Sequence, residues 1–145
     1  MPNLARILVR LIAALWCGAL WCIGALVAPA SLSMLDAAVA AEVVARMFQV
    51  LAVGGLGGAV IMLILDRLAH GQALQGPGRR TVLLMAVGTG IGYFGLNTLM
   101  NHGRALAAAG QAVPAWADPD LLHNVSGGIY FLVALAALRL VAVVR

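Results

Sequence analysis

Residues 47–65 read Met-Phe-Gln-Val-Leu-Ala-Val-Gly-Gly-Leu-Gly-Gly-Ala-Val-Ile-Met-Leu-Ile-Leu, a stretch without a single charged side chain. An apolar run of about 20 residues, at about 1.5 Å per residue, crosses a hydrocarbon layer about 30 Å thick as one helix. The run is too long for a strand and shows no period-two alternation. Apolar runs of similar length occupy residues 11–30, 82–100 and 121–144, the last with Arg139 near its end as its one charged side chain. The expected fold is therefore all-α: an integral membrane four-helix bundle, antiparallel and up-down, forming a single domain over residues 1–145.

Composition leads to the same place. Hydrophobic residues make up 63% of the chain and charged residues 10%, with a mean hydropathy of +1.03, against about 45–50% apolar and about 25% charged in soluble domains. A soluble domain of this composition would expose large apolar patches, so the lipid bilayer is the expected partner. The nine basic residues are all arginine and stand against five acids, for a net charge of +4. They lie singly between apolar segments and form no stripe, a layout that sets membrane orientation and argues against a nucleic-acid partner.

With four spans, Arg6 and Arg10 share a side with Arg67, Arg79, Arg80 and Arg145, while Arg46 and Arg104 fall on the other. Arg139 can snorkel toward the first group. The positive-inside rule then places both termini in the cytoplasm, and in a bacterial-type cell the protein is expected to be multi-pass in the inner membrane. The first span has a competing reading, because Arg6, Arg10, an apolar stretch and Ala28-Pro29-Ala30 before Ser31 look like a cleavable secretory signal. The apolar stretch exceeds the about 7–15 residues of a signal core, so a retained span is expected.

Residues 71–80, with Gly76-Pro77-Gly78, read as a turn-rich connection that makes spans two and three a hairpin. Between spans one and two, Ser33 and Asp36 have the S-x-x-D spacing of a helix N-cap. Helix formers follow without a breaker, so one helix from residue 35 to 65 would measure roughly 46 Å. The second helix should thus extend beyond the membrane, with an outer amphipathic segment over residues 34–46.

Cys17 and Cys22, five apart on a helix, point in different directions and form no C-x-x-C pair. Met34, Met47, Met62, Met85 and Met100 are spread over different helices and depths, which suits packing better than copper ligation. Small residues recur at four-residue spacing in Gly54 with Gly58 and Gly88 with Gly92. Such pairs let helices approach closely in lipid. Packing within the bundle is the plain reading, and a homodimer or membrane-complex seam is the alternative.

The sharpest functional signal is polar. In the third span Thr89, Tyr93, Asn97, Asn101 and Arg104 follow intervals of four, four, four and three, so they share one helix face. His123, Ser126 and Tyr130 do the same in the fourth span, and Glu42, Arg46 and Gln49 in the second, where Glu42 precedes Arg46 at ion-pair spacing. Polar atoms in hydrocarbon need internal partners or water. The expectation is an outer-half ligand-binding cluster of Arg46, Gln49, Tyr93, Asn97, Asn101, Arg104, His123, Ser126 and Tyr130, with interhelical hydrogen-bond glue as the competing role.

His102 and His123 end one helix and begin its antiparallel neighbour, and opposed imidazoles at similar depth suit haem or a metal. No C-x-x-C-H, H-E-x-x-H or third ligand accompanies them, so the expectation is no cofactor and no metal, with haem or copper on these histidines as the alternative. His70 lies on the opposite side and reads as a solvated loop residue. The chain has no Walker loop, dinucleotide fingerprint, G-x-S-x-G or clustered carboxylates, and Asp36, Glu42, Asp66, Asp118 and Asp120 all fall at loops or helix ends. Familiar hydrolytic and phosphoryl-transfer enzymes are disfavoured.

Leu15-Trp16-Cys17-Gly18-Ala19-Leu20, Val27-Ala28-Pro29, an Ala-rich amphipathic segment and Met47-Phe48, followed by His123 and Ser126 as an H-x-x-S pattern, carry a family likeness. Over most of its length the chain resembles the bacterial four-span family of unknown function related to eukaryotic transmembrane protein 205. That family is distantly similar to copper resistance protein D-like membrane proteins. Where the resemblance leads one to expect an asparagine four residues after the serine, this chain has Tyr130. The likeness implies four helices and a membrane location and brings no biochemical activity. The expected function is thus a non-enzymatic membrane protein that binds or passes a small solute or ion, or serves as an accessory membrane subunit; a haem- or copper-handling protein is the alternative.

Overall fold

In the computed structural model, which describes residues 2–144, the chain is helical nearly throughout, with no strand among the described residues. The helices are α1 (Pro2–Trp21), α2 (Ala28–Met34), α3 (Ala37–Leu68), α4 (Gln75–Thr89), α5 (Leu96–Ala108) and α6 (Pro119–Val143). A π-helical turn, Cys22–Val27, joins α1 to α2, and another, Gly90–Gly95, joins α4 to α5. Four continuous stretches are therefore long and apolar enough to cross a membrane: Asn3–Met34, Ala37–Leu68, Gln75–Ala108 and Pro119–Val143. The expected four-helix membrane bundle is observed. At 32 residues α3 is about 48 Å long and outreaches a bilayer core of about 30 Å.

Each span packs on its sequence neighbours, and the fourth closes on the first. Val9, Met62, Leu74, Val82, Met85 and Leu140 are fully buried at the centre. The cluster continues through Trp16, Leu20, Leu51, Val133, Ala134 and Ala137. Ala40, Met100, Ala117 and Leu122 are buried but stand apart from it. The common core thus fills the half of the bundle nearest Arg6, Arg67 and Arg79, here called the basic end.

Glycines set how closely these helices meet. A Cβ on Gly55 would lie 2.5 Å from the Trp16 Nε1, one on Gly58 3.2 Å from Ile12, one on Gly88 2.8 Å from Val133 and one on Gly92 3.1 Å from Ile129. Gly58, Gly88 and Gly92 therefore pack within this chain. Gly54 and Gly57 meet nothing within 4 Å.

Two local expectations are corrected. Residues 76–78 are not loop, because α4 begins at Gln75. Pro77 falls in the first turn, where N–H groups have no helical acceptor and a proline costs little, and the Thr81 hydroxyl donates back to the Pro77 carbonyl at 3.0 Å. Ser33 caps nothing: its hydroxyl donates to the Ala30 carbonyl at 2.9 Å, and α3 starts after Asp36, whose carbonyl accepts from Ala40.

The basic end is closed by Asp66, which is 1% exposed at the foot of α3. One carboxylate oxygen accepts from the backbone N–H groups of Ala73 at 3.2 Å and Leu74 at 2.9 Å. The other accepts from Arg79 Nε at 3.0 Å and its terminal nitrogen at 2.6 Å. A buried carboxylate needs this many donors to offset lost hydration. The clasp holds the tight connection between α3 and α4, where His70, Gly71 and Gln75 all take positive φ.

Candidate functional site

The two π turns lie at the far boundary of the core, and each rearranges backbone hydrogen bonding. In the second, the Leu96 N–H donates to the Ile91 carbonyl. An α-helix would send it to Gly92. The Gly92 carbonyl instead accepts from the Ser126 hydroxyl at 3.2 Å, across to α6. In the first, the Ala28 N–H goes to Ile23, although Gly24 would be its α-helical acceptor. Pro29, four residues after Ala25, has no N–H to give that carbonyl. The proline thus coincides with a local π-helical register, a common setting for such turns.

Tyr130 fills the space beside the first π turn. Its hydroxyl donates to the Leu20 carbonyl in a short hydrogen bond, and a Cβ on Gly24 would lie 2.7 Å from the phenol oxygen. Its ring meets Phe48 edge-on with centroids 5.0 Å apart. One turn deeper, Trp21 Nε1 donates to the Ala134 carbonyl at 3.3 Å. Leu20, Trp21, Phe48, Ser126 and Tyr130 therefore make a cross-bundle layer.

Beyond this layer the bundle thins. On α6, His123 stands seven residues before Tyr130, so it lies on the same edge two turns farther out, and it is exposed. On α5, Asn97 is half-buried, and Asn101 and Arg104 are exposed. Among the described residues the side-chain hydrogen bonds of this region run elsewhere, from Thr98 to the Phe94 carbonyl and from Ser126 to Gly92. Tyr93 is half-buried, its ring 5.0 Å from that of Phe94.

The nine expected site residues are thus split. Ser126 and Tyr130 are engaged with backbone in the layer, and Asn97, Asn101, Arg104 and His123 stand beyond it. Arg46 and Gln49 do not join them: with Glu42 they lie on the side of α3 opposite Ala40, Leu51, Gly55 and Met62, the face that α3 buries. They border an open groove of about 510 Å³ with Val50, Val53 and Gly54. The expected Glu42–Arg46 ion pair does not form; among the described residues the ion pair is Arg79–Asp66.

The two histidines are also differently placed. His102 stacks on Trp116, centroids 6.0 Å apart and planes 13° from parallel, whereas His123 lies on the edge of α6 that carries Tyr130. Among the described residues no three His, Cys, Asp or Glu side chains form a group able to hold a metal ion. Cys17 is buried and Cys22 exposed, both as free thiols.

A family model described as "Domain of unknown function (DUF4149)" matches residues 11–112. The chain belongs to this family. The DUF4149 match takes in both π turns, the Asp66–Arg79 clasp and all of α5. It leaves out α6, and with it His123, Ser126 and Tyr130. No curated protein and no solved structure matches the chain.

Asp66, which the sequence alone groups with the acids at helix ends, is the polar residue whose buried role the structure adds. A signal was present: Ala59, Met62 and Asp66 follow intervals of three and four, which places the aspartate in line with two core residues.

Proposed function

We propose that this membrane protein binds a small anionic solute at the end of the bundle away from the basic end, held by Arg104, His123 and the amides of Asn97 and Asn101. The observation that carries this reading is the end of the common core at the Leu20–Tyr130 layer, past which these polar side chains have no hydrogen-bond partner among the described residues. Donors left open at a membrane boundary suit a ligand with an acceptor group. Asp118 and Asp120 at the start of α6 lie farther out, and Asp118 is occupied in accepting from the Asp120 N–H at 3.0 Å. Ser126 and Tyr130, tied to backbone, form the floor.

The charge layout supports an orientation in the same reading. Arg6, Arg10, Arg67, Arg79 and Arg80 cluster at one end, so that end faces the cytoplasm and the solute site faces the far side of the inner membrane. The test is thermal stability of the purified protein in lipid nanodiscs, titrated with chloride, phosphate, acetate and succinate. At least one anion should raise the midpoint, and the combined Arg104→Ala and His123→Ala variant should lose that rise while Gln72→Ala keeps it. No rise with any of the four, or an equal rise in the double variant, would overturn the proposal.

A further inference from the structure

The second π turn divides its span into unequal halves. Before it, α4 buries Gly78, Thr81, Val82 and Met85, and Gly88 seats against Val133 of α6. After it, α5 buries just Met100 and Gly103. The turn itself reads Gly90-Ile91-Gly92-Tyr93-Phe94-Gly95, and a Cβ on Gly90 or Gly95 would meet nothing within 4 Å. Glycines with open space, in a helix whose hydrogen-bond ladder is already out of register, mark a place where bending costs little.

Beyond that point residues 96–117 hold together as a piece. Gly110, with a φ of 68°, ends α5, and the Gln111 N–H returns to the Leu106 carbonyl at 3.0 Å. Gly103 seats against the Ala117 carbonyl too closely to admit a Cβ, and His102 stacks on Trp116. The next residue, Asp118, has an extended backbone and caps α6. The piece therefore has a joint at each end, the glycine-rich π turn and the extended residue before Pro119.

We propose that residues 96–117 are a lid that swings on the Gly90–Gly95 turn and closes toward α6 when solute binds, a device that rests on the solute site proposed above. The lid carries Asn97, Asn101 and Arg104. His123 stands instead on α6, which runs unbroken from Pro119 to Val143 and is fixed in the core by Val133, Ala134, Ala137 and Leu140. A solute that accepts from both sides gains its full set of contacts only where the two approach, so its binding favours the closed arrangement. Ser126 fastens the pivot to α6 through its hydrogen bond to the Gly92 carbonyl, while the residues beyond the turn stay free to move.

The experiment is a spin-label distance measurement in lipid nanodiscs on a Cys17→Ala/Cys22→Ser background, with labels at Ala107→Cys on the lid and Leu132→Cys on α6. A second pair, Ile61→Cys on α3 with Leu132→Cys, spans the core as a control. Chloride, phosphate, acetate and succinate are titrated, and the thermal midpoint is read on the same samples. An anion that raises the midpoint should shift the Ala107–Leu132 distance by more than about 2 Å, the scale of a segment rearrangement on binding, and leave the Ile61–Leu132 distance unchanged. The combined Arg104→Ala and His123→Ala variant should show no shift. Gly90→Ala with Gly95→Ala, whose Cβ atoms displace nothing, should not lower the midpoint of the anion-free protein and should diminish the shift, because alanine narrows the backbone freedom of the joint. A midpoint rise without movement at Ala107–Leu132 overturns the lid and leaves the solute site standing. No rise with any of the four anions overturns both.

Discussion

Asp66 shows how one side chain closes a membrane bundle. It takes four hydrogen bonds from three residues while fully buried, whereas Arg79 keeps its side chain 51% exposed. The two halves of the ion pair are therefore unequal. Asp66→Ala leaves two buried N–H groups without an acceptor and should lower stability by about 2–3 kcal/mol; Arg79→Ala, whose loss water partly repairs, should cost about 1 kcal/mol. Thermal unfolding in detergent would read both, and equal losses would show that the arginine holds the loop as strongly as the backbone bonds do. Ser126→Ala strips the Gly92 carbonyl of its donor across the bundle and should cost about 1 kcal/mol, with Ser126→Thr restoring most of it. At this scale the sequence was half legible. Helical spacing placed His123, Ser126 and Tyr130 on one edge, but which carbonyls receive the two hydroxyls depends on π turns that periodicity does not register.

Among the elements, the glycine-rich helix α3 is where local sequence and packing diverge. Gly54, Gly55, Gly57 and Gly58 look alike in the sequence, yet two face partners and two do not. Gly55→Ala forces a Cβ against the Trp16 indole and should destabilise by about 1–3 kcal/mol through overpacking. Gly18→Ala on α1, with nothing within 4 Å, should be neutral or stabilising by up to about 1 kcal/mol. Reversal of that order in thermal unfolding would contradict the α1–α3 contact. Small-residue spacing signals close approach without saying to what, because the facing residue belongs to another helix. The span boundaries have the same limit. Hydropathy picked out the four helices long and apolar enough to cross a membrane, but α4 reaches back to Gln75 through Gly76-Pro77-Gly78, since those residues serve as readily in a first helical turn as in a loop. Pro29 was visible, and the π turn beside it was not.

Across the whole molecule, burial is uneven along the membrane normal, and that asymmetry has a dynamic consequence. At the basic end four helices share one core and Asp66 clasps a loop; past the Leu20–Tyr130 layer the buried residues separate into smaller contacts such as that of Gly103 with Ala117 in the α5–α6 connection. Local opening is favoured where few apolar contacts must break. Backbone amides of residues 98–108 and of α2 should therefore exchange with deuterium faster than those of residues 51–66 and 129–140, with the protein in nanodiscs so that lipid shields both halves of each helix. The four crossings were legible because hydrocarbon imposes length and apolarity on each span separately. The gradient was not, because it depends on how far neighbouring helices stay in register after crossing. If residues 98–108 exchange as slowly as the basic half, the far end is as well packed as the core, and the open donors of Asn97, Arg104 and His123 lose the room that a bound solute requires.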